Sequence, residues 1–194
     1  MESVFDAAEY NGQTFEKLVL DRELLRDKDF QNCRFLKCDL RNCDLAGSEF
    51  SDCIFEHCVL SLSKFAQCRL KGVRFSGSKL LGLDLSKCAA RFLELGFKDC
   101  LIDACNFSAL PLSKTRFEDC AIRGCVFGET DLTKAVFADC DLEGSVFHGA
   151  KLRDADFTSA RNYFLDPKTN DVAGARFSLP EAVSLLAAFN IKIE

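Results

Sequence analysis

Twelve cysteines, two histidines and a regular series of aspartates are the side chains in this sequence with the types and spacing for chemistry. Cys33, Cys38 and Cys43, or Cys100 and Cys105, invite comparison with zinc ligands. All twelve cysteines, however, stand two residues before a recurring apolar position, counting Cys88 before Ala90. Ser48, Val73, Thr115, Ala135 and Ala150 fill the same slot elsewhere. A slot that accepts Val and Ala is selected for size. The thiols are therefore expected to be small, buried and reduced, holding neither metal nor cofactor.

His57 and His148 fall at outward positions, and no Ser-His-Asp or Cys-His set can be assembled around them. Gly72, Gly77, Gly82, Gly124, Gly144 and Gly149 recur two residues after an apolar position, where a chain turns a corner, and form no phosphate loop. No enzyme is expected. Asp99, Asp119 and Asp139 lie twenty residues apart, each two after a Phe. Glu118 sits beside them, with Asp103 and Glu143 near the next corner. A partner that reads negative charge would contact these six. Equally, outward positions are polar in any fold, and Lys98, Lys114, Arg116 and Lys134 are near enough to offset the acids.

The elements that position these residues follow from CRFLKCDLRNCDLAGSEFSDCIFEHCVL, residues 33–60, where Phe or Leu recurs at every fifth position. Five matches neither the 3.6 of a helix nor the 2.0 of a strand. The register runs from Phe15 to Leu85, jumps by seven, and resumes from Phe92 to Phe157. A longer period of twenty aligns Phe15, Phe35, Phe55 and Phe75 in one column and Leu20, Leu40, Leu60 and Leu80 in another; Phe97, Phe117, Phe137 and Phe157 continue the first two residues late. Four pentapeptides per coil predict an all-β solenoid, a right-handed quadrilateral β-helix of about seven coils.

These residues resemble the pentapeptide-repeat family over roughly positions 13–160. Residues 1–32 read as an N-terminal capping coil, deformed because Gln13, Glu23 and Lys28 occupy the small slot; 33–160 as the β-helix, with a register break at 86–96; and 161–194 as a C-terminal turn, helix and strand. Ser178-Leu179-Pro180-Glu181 has the form of a capping box before EAVSLLAAF, a short helix with Ala182, Leu185, Leu186 and Phe189 on one face. Asn190 suits its C-cap, and Ile191-Lys192-Ile193 a terminal strand. This tail is similar to that of the quinolone-resistance and gyrase-protecting branch of the family. The resemblance implies a DNA mimic that binds DNA gyrase or topoisomerase IV and protects it from a fluoroquinolone or peptide toxin. It further implies a homodimer joined through Leu185, Leu186, Phe189, Ile191 and Ile193. Only the two-residue break stands where some members carry long loops, which bears on drug protection. The alternative is a rigid structural or regulatory adaptor with another partner.

Charge limits these readings. The net charge is −5, with 14 basic and 15 acidic side chains in residues 1–96 against 11 and 15 in 97–194. Direct binding of DNA or RNA is disfavoured by the acidic balance. No run of eighteen apolar residues suggests a membrane span, and MESVFDAAEYNG has neither part of a signal peptide; a cytoplasmic location is expected.

Overall fold

The computed structural model describes residues 5–189 and 191. Short strands stack coil upon coil as a right-handed quadrilateral β-helix of about eight turns, all pairs parallel. One face is a seven-stranded sheet built from Thr14–Glu16, Arg34–Leu36, Ile54–Glu56, Val73–Ser76, Leu95–Lys98, Arg116–Glu118 and Val136–Ala138. The other faces carry two four-stranded sheets and one of three strands. The pattern exposed–buried–exposed within a three-residue strand puts the comb residue inside and its neighbours out. The chain then turns a corner through a left-handed residue, at twenty-one positions not a glycine.

The interior is a set of columns. From Phe15 to Phe157 the rings of the first face stack at 4.6–5.4 Å. Aromatic residues of two other faces meet them edge to face: Phe30 and Phe50 on one face in the first half, and Phe107, Phe127 and Phe147 on another in the second. Such pairs contribute about 0.5–1.5 kcal/mol each beyond the area they bury.

All twelve cysteines are buried and free. Their slot selects for more than size. Cys43 Sγ donates to the Leu20 carbonyl at 2.7 Å and Cys53 Sγ to that of Phe30 at 3.2 Å; Ser48, Ser78 and Thr130 do the same in their own columns. The favoured side chain is one small enough for the corner that also returns a hydrogen bond to the coil before. Burial pushes the thiols of Cys43, Cys53 and Cys68 up, to about 11, 12 and 12.

The structure departs from the sequence reading at four places. Pairing steps by twenty residues from Phe55 to Phe75 and by twenty-two from Phe75 to Phe97. The extra residues lie between the bonds Ala89 N–H to Cys68 O and Glu94 N–H to Leu70 O. Phe92, read as an interior residue, takes a left-handed turn conformation there and is 69% exposed. Leu93, half-buried, packs against the core instead, and Leu95 fills a slot that is small elsewhere. The first coil, read as deformed, pairs in regular register, Tyr10 on Phe30 and Phe15 on Phe35. Gln13 and Glu23 are exposed, and Lys28 is half-buried with its Nζ donating to the Ala7 carbonyl at 2.7 Å, so the register is kept.

The tail supplies the other two. Glu181–Phe189 is a 3-10 helix. Three residues per turn, with i and i+3 eclipsed, separate the apolar residues that 3.6 would have gathered. Ala182, Leu185 and Ala188 are half-buried, while Val183, Leu186 and Phe189 are exposed. The capping box does not form. Ser178 Oγ bonds the Thr158 carbonyl, and the Glu181 carboxylate accepts from the Asn162 N–H at 3.1 Å, so both side chains tether the tail to the last coil. Phe177 closes the stack over Phe157, ring centroids 5.4 Å apart.

Candidate partner-binding surface

Asp99, Asp119 and Asp139 occupy one corner of the β-helix, each with φ of 53–54°. The Asp99 N–H donates to the Glu118 carbonyl, and the Asp119 N–H to that of Ala138, both at 2.9 Å. These bonds hold successive aspartates one coil apart, about 4.8 Å. All three are exposed, and among the described residues no ion pair reaches any of them. Like charges at that spacing repel by about 1 kcal/mol per step even in water.

The other three acids are held differently. Glu118 lies on the face beside the corner and accepts from Arg116 Nε at 2.7 Å. Asp103 and Glu143 belong to the next face, where Arg123 pairs with Asp103 in the strand register and stands between them. Arg123 also reaches Asp141 at 3.3 Å and Glu143 at 3.8 Å. The uninterrupted acidic strip is thus the three aspartates. Lys114 and Lys134 turn the preceding corner of the same face, five residues before Asp119 and Asp139, and among the described residues neither forms an ion pair with them. The near cations are Lys98 and Arg74, which with Arg116 line a notch of about 240 Å³ where Gly96 has no side chain.

Sequence reasoning passed over the opposite end of this corner. The same offset, two residues after each Phe, continues upward as Gly77, His57, Lys37 and Lys17. The signal was present in the spacing, but only the corner geometry places all seven residues on one line. His57 is outward, and its imidazole lies over Gly77, where an added Cβ would meet Nδ1 at 2.4 Å. His148 is also exposed. Among the described residues no group of three or more His, Cys, Asp or Glu converges as a metal site would.

Of the tail residues, Leu185 packs half-buried on the core, while Leu186, Phe189 and Ile191 are 39%, 48% and 53% exposed. Lys168 Nζ sits 4.4 Å from the Phe189 ring centre. Ile193 and Asn190 lie outside the described residues.

A profile for the pentapeptide repeat region matches residues 28–96, 48–124 and 90–161. Among curated proteins no sequence matches. Solved structures with the same fold include a trypsin-treated form of QnrB1, a plasmid-mediated fluoroquinolone resistance protein, with TM-score 0.56 and 18% identity over 97% of this chain and 98% of that one. Full-length QnrB1 gives TM-score 0.52 and 16% identity over 94% and 100%. HetL, involved in heterocyst differentiation regulation in the cyanobacterium Nostoc sp. Strain PCC 7120, gives TM-score 0.56 and 17% identity over 87% and 86%.

Proposed function

The chain belongs to the pentapeptide-repeat family, and from that premise we propose that it is a non-catalytic, cytoplasmic protein that binds DNA gyrase or topoisomerase IV in place of DNA. Bound in the DNA-binding saddle, it protects the enzyme from a fluoroquinolone or a peptide toxin. The observation that carries this reading is the straight file of unpaired carboxylates, Asp99, Asp119 and Asp139, on a rigid rod. The likeness to QnrB1 along nearly the whole of both chains supports it.

Magnitudes define what kind of mimic this is. Eight coils at about 4.8 Å give a rod of roughly 38 Å, and two joined end to end roughly 77 Å. Duplex DNA of that length carries about 45 phosphates, whereas two chains of net charge −5 carry −10. The imitation is therefore a local strip, with rod shape supplying the remainder. Val183, Leu186 and Phe189, exposed on one side of the tail helix, support joining two rods through their C-terminal ends.

Purified protein added to gyrase and topoisomerase IV is expected to lower supercoiling or decatenation at high ratio and to restore it in the presence of a quinolone. Asp119→Lys with Asp139→Lys should weaken both effects by tenfold or more, about 1.4 kcal/mol. Wild-type protein that neither binds nor alters either enzyme, with or without inhibitor, would refute the reading. The second reading, a regulatory adaptor with another partner, is favoured by the HetL likeness, equal in TM-score to that of QnrB1. Recovery of a different stoichiometric partner from the host would select it.

A further inference from the structure

The corner that bears the aspartates reads, from one end to the other, Lys17, Lys37, His57, Gly77, Asp99, Asp119, Asp139, with φ of 53–57° throughout. Each N–H from Lys17 to Asp119 donates at 2.8–2.9 Å to a carbonyl of the following coil, which makes the seven a single file. Beneath it each Phe ring from Phe15 to Phe157 stacks on the next at 4.6–5.4 Å, one ring per coil. Its charge is segregated: cationic before Gly77, anionic after it. No other corner has this order. The next reads Arg22, Asn42, Leu62, Gly82, Ala104, Gly124, Gly144, and another mixes Asp52, Lys114, Lys134 and Asp154.

The geometry points to this corner as a self-complementary docking strip for a second, antiparallel copy of the chain. A twofold axis crossing the strip at Gly77 sets Lys17 against Asp139 of the partner subunit, Lys37 against Asp119 of the partner subunit, and His57 against Asp99 of the partner subunit. Symmetry repeats every pairing. In the flanking file, one residue before the corner, Glu56 meets Lys98 of the partner subunit and Ser76 its own symmetry mate, while Leu36 meets Glu118 of the partner subunit and Glu16 meets Ala138 of the partner subunit. At the centre Gly77 has no side chain, and the His57 imidazole lies over it. A parallel arrangement would set like charges together. A slip of one coil in either direction leaves at least one charged side chain of each copy unmatched. Every ionic residue of the file is exposed, and among the described residues only Lys17 has an ion pair within the chain, with Glu16 at 3.1 Å.

This inference does not rest on the topoisomerase reading, because the isolated chain suffices to test it. The strip and the tail are also separable, since one contact is ionic and the other apolar. Solution mass is measured by sedimentation at about 0.01 M salt, where screening extends ~30 Å, and at about 1 M, where it falls to ~3 Å. Wild type is expected to show a roughly twofold mass at low salt over whatever mass persists at high salt. Lys17→Glu with Lys37→Glu, and separately Asp119→Lys with Asp139→Lys, should each lose that step. Mixing the two variants should restore it, because one strip is then negative and the other positive except at Asp99, which faces His57 of the partner subunit; circular dichroism checks that both variants fold. A wild-type mass independent of salt overturns the proposal, as does a mixture that behaves as the sum of its parts.

Discussion

Asp44, one residue before the interior Leu45, is 5% exposed and shows how single charges are carried by this fold. The hydrogen bond from Arg26 holds its carboxyl below the usual carboxylate range, with the Ala46 N–H assisting. Asp141 is depressed likewise, first by the Asn162 amide and then by Arg123. A depressed folded-state value means that the contribution is complete above the unfolded value, about 3.9, and is lost as pH falls through the folded value. Asp44→Asn is therefore expected to lower stability at neutral pH and to flatten its fall below about pH 4; urea unfolding at a series of pH values measures this. Among the thiols, Cys53→Ser should be tolerated within about 1 kcal/mol, since Ser78 and Thr130 already make the same bond to the coil before. Cys53→Leu overpacks the slot, at a cost of about 1–3 kcal/mol.

At the scale of the coil, the register break makes a sharp comparison between two Phe residues five apart. Phe97 is buried between the rings of Phe75 and Phe117, whereas Phe92 stands in solvent beside Arg91. Phe97→Ala is expected to cost about 3–5 kcal/mol, and Phe92→Ser to change stability by no more than about 0.5 kcal/mol. Denaturant unfolding of the pair decides it, and equal losses would place Phe92 in the core. The comb alone assigns both residues inward, because any apolar residue on the register satisfies it. Whether Phe92 or Leu93 enters depends on where two extra residues are absorbed, and the hydrogen bonds to Cys68 and Leu70 set that.

For the whole molecule, the ends bear on the proposed assembly. Phe177 and the tail helix cap the last coil, yet the helix keeps Val183, Leu186 and Phe189 on its outer side. Leu186→Asp with Phe189→Asp should abolish a salt-resistant dimer and leave the β-helix intact, read by light scattering in high salt and by circular dichroism. A full-length chain that is monomeric there at tens of micromolar, or a chain ending at Phe177 that still dimerises, reduces the tail to a cap. These substitutions lie at the opposite side of the molecule's logic from the charged corner, and a salt titration separates the two contacts.

By itself the sequence determined the solenoid, its four faces and the identity of nearly every interior residue. Each coil contacts only its neighbours, so a repeat of twenty residues carries the tertiary contacts in its own spacing. It also placed the three aspartates in one file. Tertiary structure decided what periodicity leaves open: the outward turn of Phe92, the ion pair of Arg123 with Asp141, and the tail's three-residue period. In each case the deciding partner lies outside the local repeat. The inserted residues shift the bonding of one coil, Arg123 reaches Asp141 and Glu143 of the following coil, and Ser178 and Glu181 are taken by Thr158 and Asn162 of the coil beneath.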